Sequence, residues 1–326
     1  MQAVFFEKPG GPNVLKIQQT EIPIPKNKEL LIKVFGAGIN RPDILQREGN
    51  YPAPPGHSKI LGLEVSGFVD SIGKNVKDFK IGDKVCALVN GGGYAEYCKV
   101  DERQVMHSPK ILNMYESAAI PECFFTCWAN LFDKARAKKN DKVLIHGGSS
   151  GIGTSAIQIL DYLGIESFVT VGSDRKKSLC EKLGAKLAIN YNNEDFFESI
   201  RESTNKKGVN IILDIIGGDY IQKNINLLSS DGRLVNIAFQ NGSSATVNFI
   251  KIMLKRLTLT GSTLRIRDVK YKQKIKNAII KNIVPGIENG SIKPVIDKIF
   301  KFHDVTKAHE RMQNNEHFGK LVLKFN

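Results

Sequence analysis

The chain has 326 residues, 41% of them hydrophobic and 25% charged, ordinary proportions for a globular protein and too long for a single core, so two domains are expected. No apolar run reaches the length of a membrane span, and the acidic opening from Met1 to Glu7 reads as a first strand of a cytoplasmic protein and not as a signal peptide. The formal charge of +14 would attract polyphosphates or nucleic acid, but no zinc finger, RNA-recognition aromatic signature or basic coiled coil accompanies it, so no specific nucleic-acid partner is expected.

The first third is β-rich. Leu30 to Val34 is a strand, and Ile44 to Arg47 a helical turn after the Asn40-Arg41-Pro42-Asp43 stretch. Tyr51 to Gly56 carries three prolines and must be a surface loop, because proline removes donors and fixes φ. Strands follow at Ile60 to Gly73, Val85 to Val89 and Tyr94 to Val100, with glycine turns between them, a barrel-like or sandwich-like spacing. Five scattered cysteines (Cys86, Cys98, Cys123, Cys127, Cys180) show no tight pair but Cys123 and Cys127, which sit among bulky apolar residues with no histidine nearby in sequence, so all read as buried free thiols.

Near residue 115 the pattern changes. Glu116 to Ile120 and Thr126 to Lys138 have helical spacing, and βα units then alternate. Strands are expected at Val143 to His146, Glu166 to Val171, Lys186 to Tyr191, Asn210 to Ile216, Gly232 to Phe239 and Leu257 to Ser262. Strands this apolar, separated by helices, imply a parallel sheet covered on both faces. An amphipathic helix spans 268–289, and Leu321 to Leu323 is a last strand that returns to the first domain.

Gly151-Ile152-Gly153-Thr154-Ser155-Ala156 follows the first of these βα strands and opens a helix, the context in which a glycine fingerprint binds a dinucleotide pyrophosphate on the helix N-terminus. An acidic residue usually ends the second strand and holds the ribose 2′-hydroxyl of NAD. Here Val171-Gly172-Ser173 ends it, with Asp174 late and Arg175, Lys176 and Lys177 behind. This pattern points to NADP(H); the alternative is that the lysines are simply an exposed first helical turn.

The order of β domain, fingerprint, βα units and returning tail resembles the medium-chain dehydrogenase/reductase superfamily. Within it the chain is most similar to the zinc-independent quinone oxidoreductases related to zeta-crystallin, and nearest to the p53-inducible type. The carriers include Lys8-Pro9-Gly10-Gly11-Pro12, Asn40-Arg41-Pro42-Asp43, Gly49-Asn50-Tyr51-Pro52, Leu61 to Gly67, Lys80-Ile81-Gly82-Asp83, Gly91 to Tyr97, Ala118 to Glu122 and Asp214 to Gly218. The resemblance implies an α/β fold with a GroES-like catalytic domain over 1–122, a Rossmann NADP-binding domain over 123–263, and a C-terminal return over 264–326 that completes the catalytic domain. It implies a cofactor in the cleft between the domains and a homodimer or homotetramer.

The same resemblance places Asn40 and Thr126 beside the nicotinamide, and Tyr51 at the substrate cavity. It places Ser150, Gly151, Ile152 and Gly153 in the fingerprint turn, and Ser173, Lys176 and Tyr191 around the 2′-phosphate. Phe239 and Leu264 match backbone contacts along the cofactor, and Lys320 lies in the returning segment near it. Zinc-dependent relatives carry a Gly-His-Glu motif; this chain has Gly62-Leu63-Glu64, with Asn40 where a cysteine ligand would lie. Leucine cannot ligate, so no metal is expected.

A quinone is already electrophilic and its reduced anion is delocalised, so a site of oriented hydrogen bonds suffices. Tyr51 and Ser150 are the expected donors to the acceptor oxygen. Tyr51 has a second reading as the anchor of its proline loop, and Ser150 as a turn stabiliser. The reading is thus an NADPH:quinone oxidoreductase acting on a small quinone or conjugated carbonyl. An enoyl or alkenal reductase, or an NADPH-binding structural or RNA-binding protein, stands as the alternative.

Overall fold

The computed structural model describes residues 1–325. The chain divides into two units, Met1–Phe125 together with the residues from Arg265 onward, and Thr126–Leu264. Along the first stretch lie β1 (Gln2–Phe5), β2 (Lys16–Gln19), β3 (Glu29–Ile39), α1 (Arg41–Arg47), β4 (Glu64–Ile72), β5 (Lys84–Leu88), β6 (Tyr97–Asp101), β7 (Val105–His107), α2 (Met114–Ser117) and α3 (Pro121–Cys127). The second unit holds β8 (Lys142–His146), α4 (Gly151–Tyr162), β9 (Glu166–Val171), α5 (Asp174–Lys182), β10 (Leu187–Asn190), α6 (Phe196–Ser203), β11 (Val209–Asp214), α7 (Tyr220–Leu227), β12 (Leu228–Asn236), α8 (Ile250–Leu254) and β13 (Thr258–Gly261). The return contributes α9 (Val269–Asn282), α10 (Val284–Glu288), β14 (Ile296–Lys301), α11 (Val305–Gln313) and β15 (Lys320–Lys324).

In the first unit a seven-stranded sheet runs β14-β15-β3-β4-β5-β7, with β6 pairing β3 as well. The tail is integral to it: β15 pairs antiparallel with β3 from Leu321 opposite Ile39 to Lys324 opposite Gly36. The returning strand therefore braces the end of β3 that leads into Asn40. Leu30, Ile32, Val65, Val85, Tyr94, Leu321 and Leu323 share its core. Gly38 is required where β3 meets β4, because a Cβ there would fall on the Glu64 side chain.

The second unit is a six-stranded parallel sheet in the order β10-β9-β8-β11-β12-β13. Renumbered within the unit this is 3-2-1-4-5-6, the doubly wound order whose direction reverses between β8 and β11. Val143, Leu144, Ile145, Ile211, Ile212 and Leu213 are at most 1% exposed, as central strands covered on both faces must be. Ligands in such folds bind beyond the C-terminal ends of the strands at the reversal.

Several elements differ from the sequence expectation for identifiable reasons. The strand at Leu30 continues through Gly36 and Gly38 to Ile39, since the flanking strands accept the glycines. The strand placed at Tyr94 begins at Tyr97; Tyr94 and Ala95 instead tie to the first hairpin, Tyr94 O accepting from Val4 N and Ala95 bridging Ala3. The helix expected over 126–138 is the end of α3 followed by a π-helical stretch at Trp128–Lys134, with Ala135 N donating to Asn130 O five residues back. It stops at Arg136, whose φ is +53°. The single helix expected over 268–289 breaks into α9 and α10 at Ile283, because Pro285 has no N–H to continue the ladder. No helix of the described residues is long and apolar enough to cross a membrane.

Candidate functional site

Two groups of polar residues stand out, one in each unit. In the first unit, the turn from β3 into α1 is stapled by a capping box: Asn40 N donates to Asp43 Oδ2 at 2.9 Å, and Pro42 sits in the first turn, where a missing N–H costs nothing. Asp43 also accepts from Gly62 N at 3.0 Å and from the Tyr94 hydroxyl at 3.1 Å. Burial nevertheless pushes its carboxyl up to about 6, against the lowering effect of those bonds. The same network continues through His309 Nε2, 3.3 Å from the Tyr94 hydroxyl, to Arg47, whose Nη1 is 3.2 Å from His309 Nδ1. Nδ1 must accept from the guanidinium, so Nε2 carries the proton.

Behind Asn40 lies a buried ion pair. Lys320 Nζ is 2.6 Å from Glu64 Oε1, 2.6 Å from Asn40 Oδ1 and 3.0 Å from Ile39 O. An ammonium has three donors, and here all three are committed. Burial opposes the charge, but the facing Cys123 and Glu64 hold the lysine above its ordinary value. Asn40 Nδ2 in turn donates to Glu64 Oε1 at 2.9 Å, which fixes its amide orientation. Asn40 and Lys320, both expected near the cofactor, are therefore brought together, with the three hydrogen bonds of Lys320 spent inside this cluster.

Tyr51 lies in the proline loop, half-buried, with the Arg265 guanidinium carbon 5.6 Å from its ring centroid. Burial, then the Glu122 carboxyl, raise its phenol. Arg265 donates through Nε and Nη2 to Asn90 O at 3.2 and 3.0 Å, and Lys272 Nζ donates to Arg265 O at 2.9 Å. Sequence reasoning singled out neither Arg265, Lys272 nor Glu122 for a site. Glu122 is a charge within an otherwise apolar stretch, whereas Arg265 and Lys272 lie in a basic one that composition does not distinguish from exposed surface.

In the second unit the fingerprint forms the expected turn. Gly147 has φ +78°, and a Cβ on Gly153 would fall 2.4–2.5 Å from the carbonyl oxygens of Gly147 and Gly148, so only glycine lets α4 press onto the turn. Ser150 caps α4, its Oγ accepting from Gly153 N at 3.0 Å. Accepting that bond leaves the hydroxyl proton free to donate elsewhere. The N-terminus of this twelve-residue helix presents backbone N–H groups and positive dipole, fitted to a pyrophosphate. Thr126 is buried, its carbonyl accepting from Asn130 Nδ2 at 2.8 Å, and the Ile152 carbonyl accepts from the Cys127 thiol at 3.5 Å.

At the end of β9, Ser173 caps α5 by accepting from Lys176 N at 3.3 Å. The Tyr191 hydroxyl lies so close to Gly172 that a Cβ there would approach it to 2.6 Å. Ser173, Lys176 and Tyr191 are thus gathered at one strand end. Asp174 Oδ1 accepts from Asn190 Nδ2 at 2.8 Å. At the reversal point, Asp214 gathers the loop after β11, accepting from Ile216 N at 2.7 Å and Asn236 Nδ2 at 2.9 Å. Phe239, 48% exposed, packs over Gly217, which has φ +71°. Leu264 closes the unit outside any regular element. His146 is a buried spacer between Thr170 Oγ1 and Asn224 Oδ1.

Among the described residues no three His, Cys, Asp or Glu side chains are grouped to hold a metal ion. Comparison with known proteins agrees with the architecture. The family described as alcohol dehydrogenase GroES-like domain matches residues 26–110, and that described as zinc-binding dehydrogenase matches residues 183–323. The quinone oxidoreductase of Rattus norvegicus is 30% identical, over 99% of this chain and 97% of its own length. The structure of Escherichia coli quinone oxidoreductase complexed with NADPH is 27% identical, covers 100% of both chains and superposes with a TM-score of 0.89. The JamJ enoyl reductase superposes with a TM-score of 0.88 at 25% identity, over 100% of this chain and 99% of its own.

Proposed function

This chain belongs to the quinone oxidoreductases of the medium-chain dehydrogenase/reductase superfamily, and from that membership and its own residues we propose that it reduces quinones with NADPH, without a metal. The single observation that carries the cofactor reading is the end of β9: a small capped Ser173 with Lys176 and Tyr191 beside it, and Asp174 engaged with Asn190. A 2′-phosphate meets a cation and hydroxyls there, where NAD binders present a carboxylate.

When bound, the reduced nicotinamide supplies the hydride. The α4 N-terminus and the Gly151, Ile152 and Gly153 backbone hold the pyrophosphate, and Ser173, Lys176 and Tyr191 the 2′-phosphate. Thr126, Phe239 and Leu264 contact the remainder. Asn40 orients the nicotinamide end, itself held by Lys320 and Glu64. Tyr51 and Ser150 donate hydrogen bonds to the acceptor oxygen, Ser150 with the proton its capping bond leaves free. Metal independence follows from donor chemistry: residue 63 is leucine, and the adjacent Glu64 and Asn40 are already bound to an internal cation, the Lys320 ammonium.

The test is quinone turnover with NADPH in Tyr51→Phe combined with Ser150→Ala. Loss of two donors is expected to lower kcat/KM by at least about tenfold; unchanged turnover would show that these side chains do not touch the acceptor. The enoyl reductase likeness favours a second reading, reduction of a carbon–carbon double bond conjugated to a carbonyl, on the same cofactor and the same donors. We also propose a homodimer through β13, an edge strand of the parallel sheet, next to the exposed Phe249, Met253 and Leu254.

A further inference from the structure

Hydride addition to a quinone leaves the monoanion of the hydroquinone, so one hydride and one proton must reach the acceptor. Tyr51 is poorly suited to give up a proton, since burial and the Glu122 carboxyl both raise its phenol. A different group in the same cluster is suited to it.

Glu122 opens α3, directly after Pro121, and is half-buried. Its backbone N–H donates to Glu64 Oε2 at 2.8 Å, which ties its position to the Asn40–Glu64–Lys320 cluster. Among the described residues its own carboxyl forms no hydrogen bond or ion pair. Around it stand Glu64 on β4, Asp43 on α1, Lys320 on β15, Lys272 on α9, and Tyr51 and Arg265 in loops, all close enough to act on it or be acted on by it electrostatically. The arrangement is uneven. Glu64 is saturated by Lys320, Asn40 and the Glu122 N–H, and Asp43 by two backbone N–H groups and Tyr94. Lys272 is spent on Asn90 and Arg265 O. Glu122 alone among these carboxyls keeps both oxygens uncommitted while part of its surface remains open.

We propose that Glu122 is the general acid of the reaction, handing its carboxylic proton to the oxygen of the acceptor that Tyr51 also contacts. The inference rests on the quinone-reductase reading. The balance is simple: a hydride adds to the acceptor, the O–H bond of Glu122 breaks, a new O–H bond forms on the acceptor oxygen, and the Glu122 carboxylate recovers a proton from water. Burial, with the Glu64 carboxylate nearby, pushes Glu122 up to about 8, so the acid is charged with its proton at neutral pH. A reduced quinone is a phenol, and a phenolate takes a proton with a pKa near that of tyrosine, about 10, so the transfer runs downhill by roughly 100-fold. The carboxylate left behind faces Lys320, Lys272 and Arg265, which stabilise it until it is reprotonated.

The experiment follows kcat for NADPH-driven reduction of a water-soluble benzoquinone from about pH 6 to about pH 10 in the native protein, Glu122→Gln and Glu122→Asp. The native kcat is expected to fall about tenfold per pH unit above about 8. Glu122→Gln should lower kcat at neutral pH by about 100-fold, leave KM within about threefold and abolish that alkaline limb. Glu122→Asp should restore a limb, displaced in pH. In the ligand-free proteins, the infrared carbonyl band of a protonated carboxylic acid should titrate near pH 8 and be missing from Glu122→Gln, a signature that a packing role would not produce. A Glu122→Gln protein that keeps the alkaline limb, or a native protein without that band, overturns the assignment while native quinone turnover stands. Absence of quinone turnover in the native protein sinks the quinone reading itself, and with it the acceptor named here.

Discussion

Lys320→Met isolates the buried ion pair on which Asn40 depends. Glu64 is 0% and Lys320 3% exposed, and the two are joined at 2.6 Å. Removing one partner of a buried pair leaves the other charge unpaired, which costs about 3–5 kcal/mol. Glu64 keeps the Asn40 amide at 2.9 Å and the Glu122 N–H at 2.8 Å, so the lower end, about 3 kcal/mol, is expected. For a folding unit of 150–250 residues this lowers Tm by about 6–12 °C. Adding Glu64→Gln removes the orphaned charge, and its single amide oxygen keeps an acceptor for one of the two N–H donors, so the double variant should recover part of the loss. Thermal unfolding followed by circular dichroism reads both. A loss below about 1 kcal/mol in Lys320→Met, or a double variant no better than the single, would refute the claim that this pair is desolvated and interdependent.

The pH dependence of stability has a sign set by His309. Burial, then Arg47, lower it to about 3, so the unfolded chain binds the proton first and stability is lost as pH falls from about 6.5 toward 3, by up to ~1.4 kcal/mol per unit. Urea unfolding of His309→Gln across that range should show a slope flatter by about that amount; Asp43, whose raised carboxyl acts in the opposite sense up to about pH 6, is common to both proteins and cancels. Lys176→Glu should weaken NADPH binding by about 10–150-fold, the worth of one charge-assisted hydrogen bond, with NADH affected far less, as measured by fluorescence titration. Equal losses for both cofactors would show that Lys176 does not meet the 2′-phosphate. Leu259→Lys on β13, 39% exposed at the sheet edge, should convert a dimer to monomer in sedimentation analysis, whereas an unchanged assembly would place the interface elsewhere.

The parallel sheet was the most legible part of the fold. Runs such as Val143-Leu144-Ile145 and Ile211-Ile212-Leu213 carry no alternation, and only a strand covered on both faces uses such a run. The turn at Gly147 to Gly153 was legible for the same physical reason that it works: no side chain fits against the carbonyls beneath Gly153. The glycines of β3 were harder to read, because Gly38 is there for the Glu64 side chain, a contact set by tertiary pairing. Ser150 and Ser173 follow a local rule, since each caps the helix that opens after it. The site was unreadable where residues from distant segments converge. Glu122 lies more than a hundred residues of chain from Arg265 and Lys272, and nothing in the immediate neighbours of those two cations distinguishes them from solvated charges. Lys320 was expected near the cofactor only through resemblance; that it meets Asn40 follows from a strand pairing that sets Leu321 opposite Ile39.

The most direct test is the rate of NADPH oxidation by the native protein with a series of quinones, set against the same measurement with enals and enoyl thioesters. Quinones are predicted to be turned over with kcat/KM at least about tenfold above the best enal or enoyl thioester, a preference of ~1.4 kcal/mol in the transition state. Faster oxidation with an enoyl thioester, and little with any quinone, would contradict the account and assign the chain to double-bond reduction.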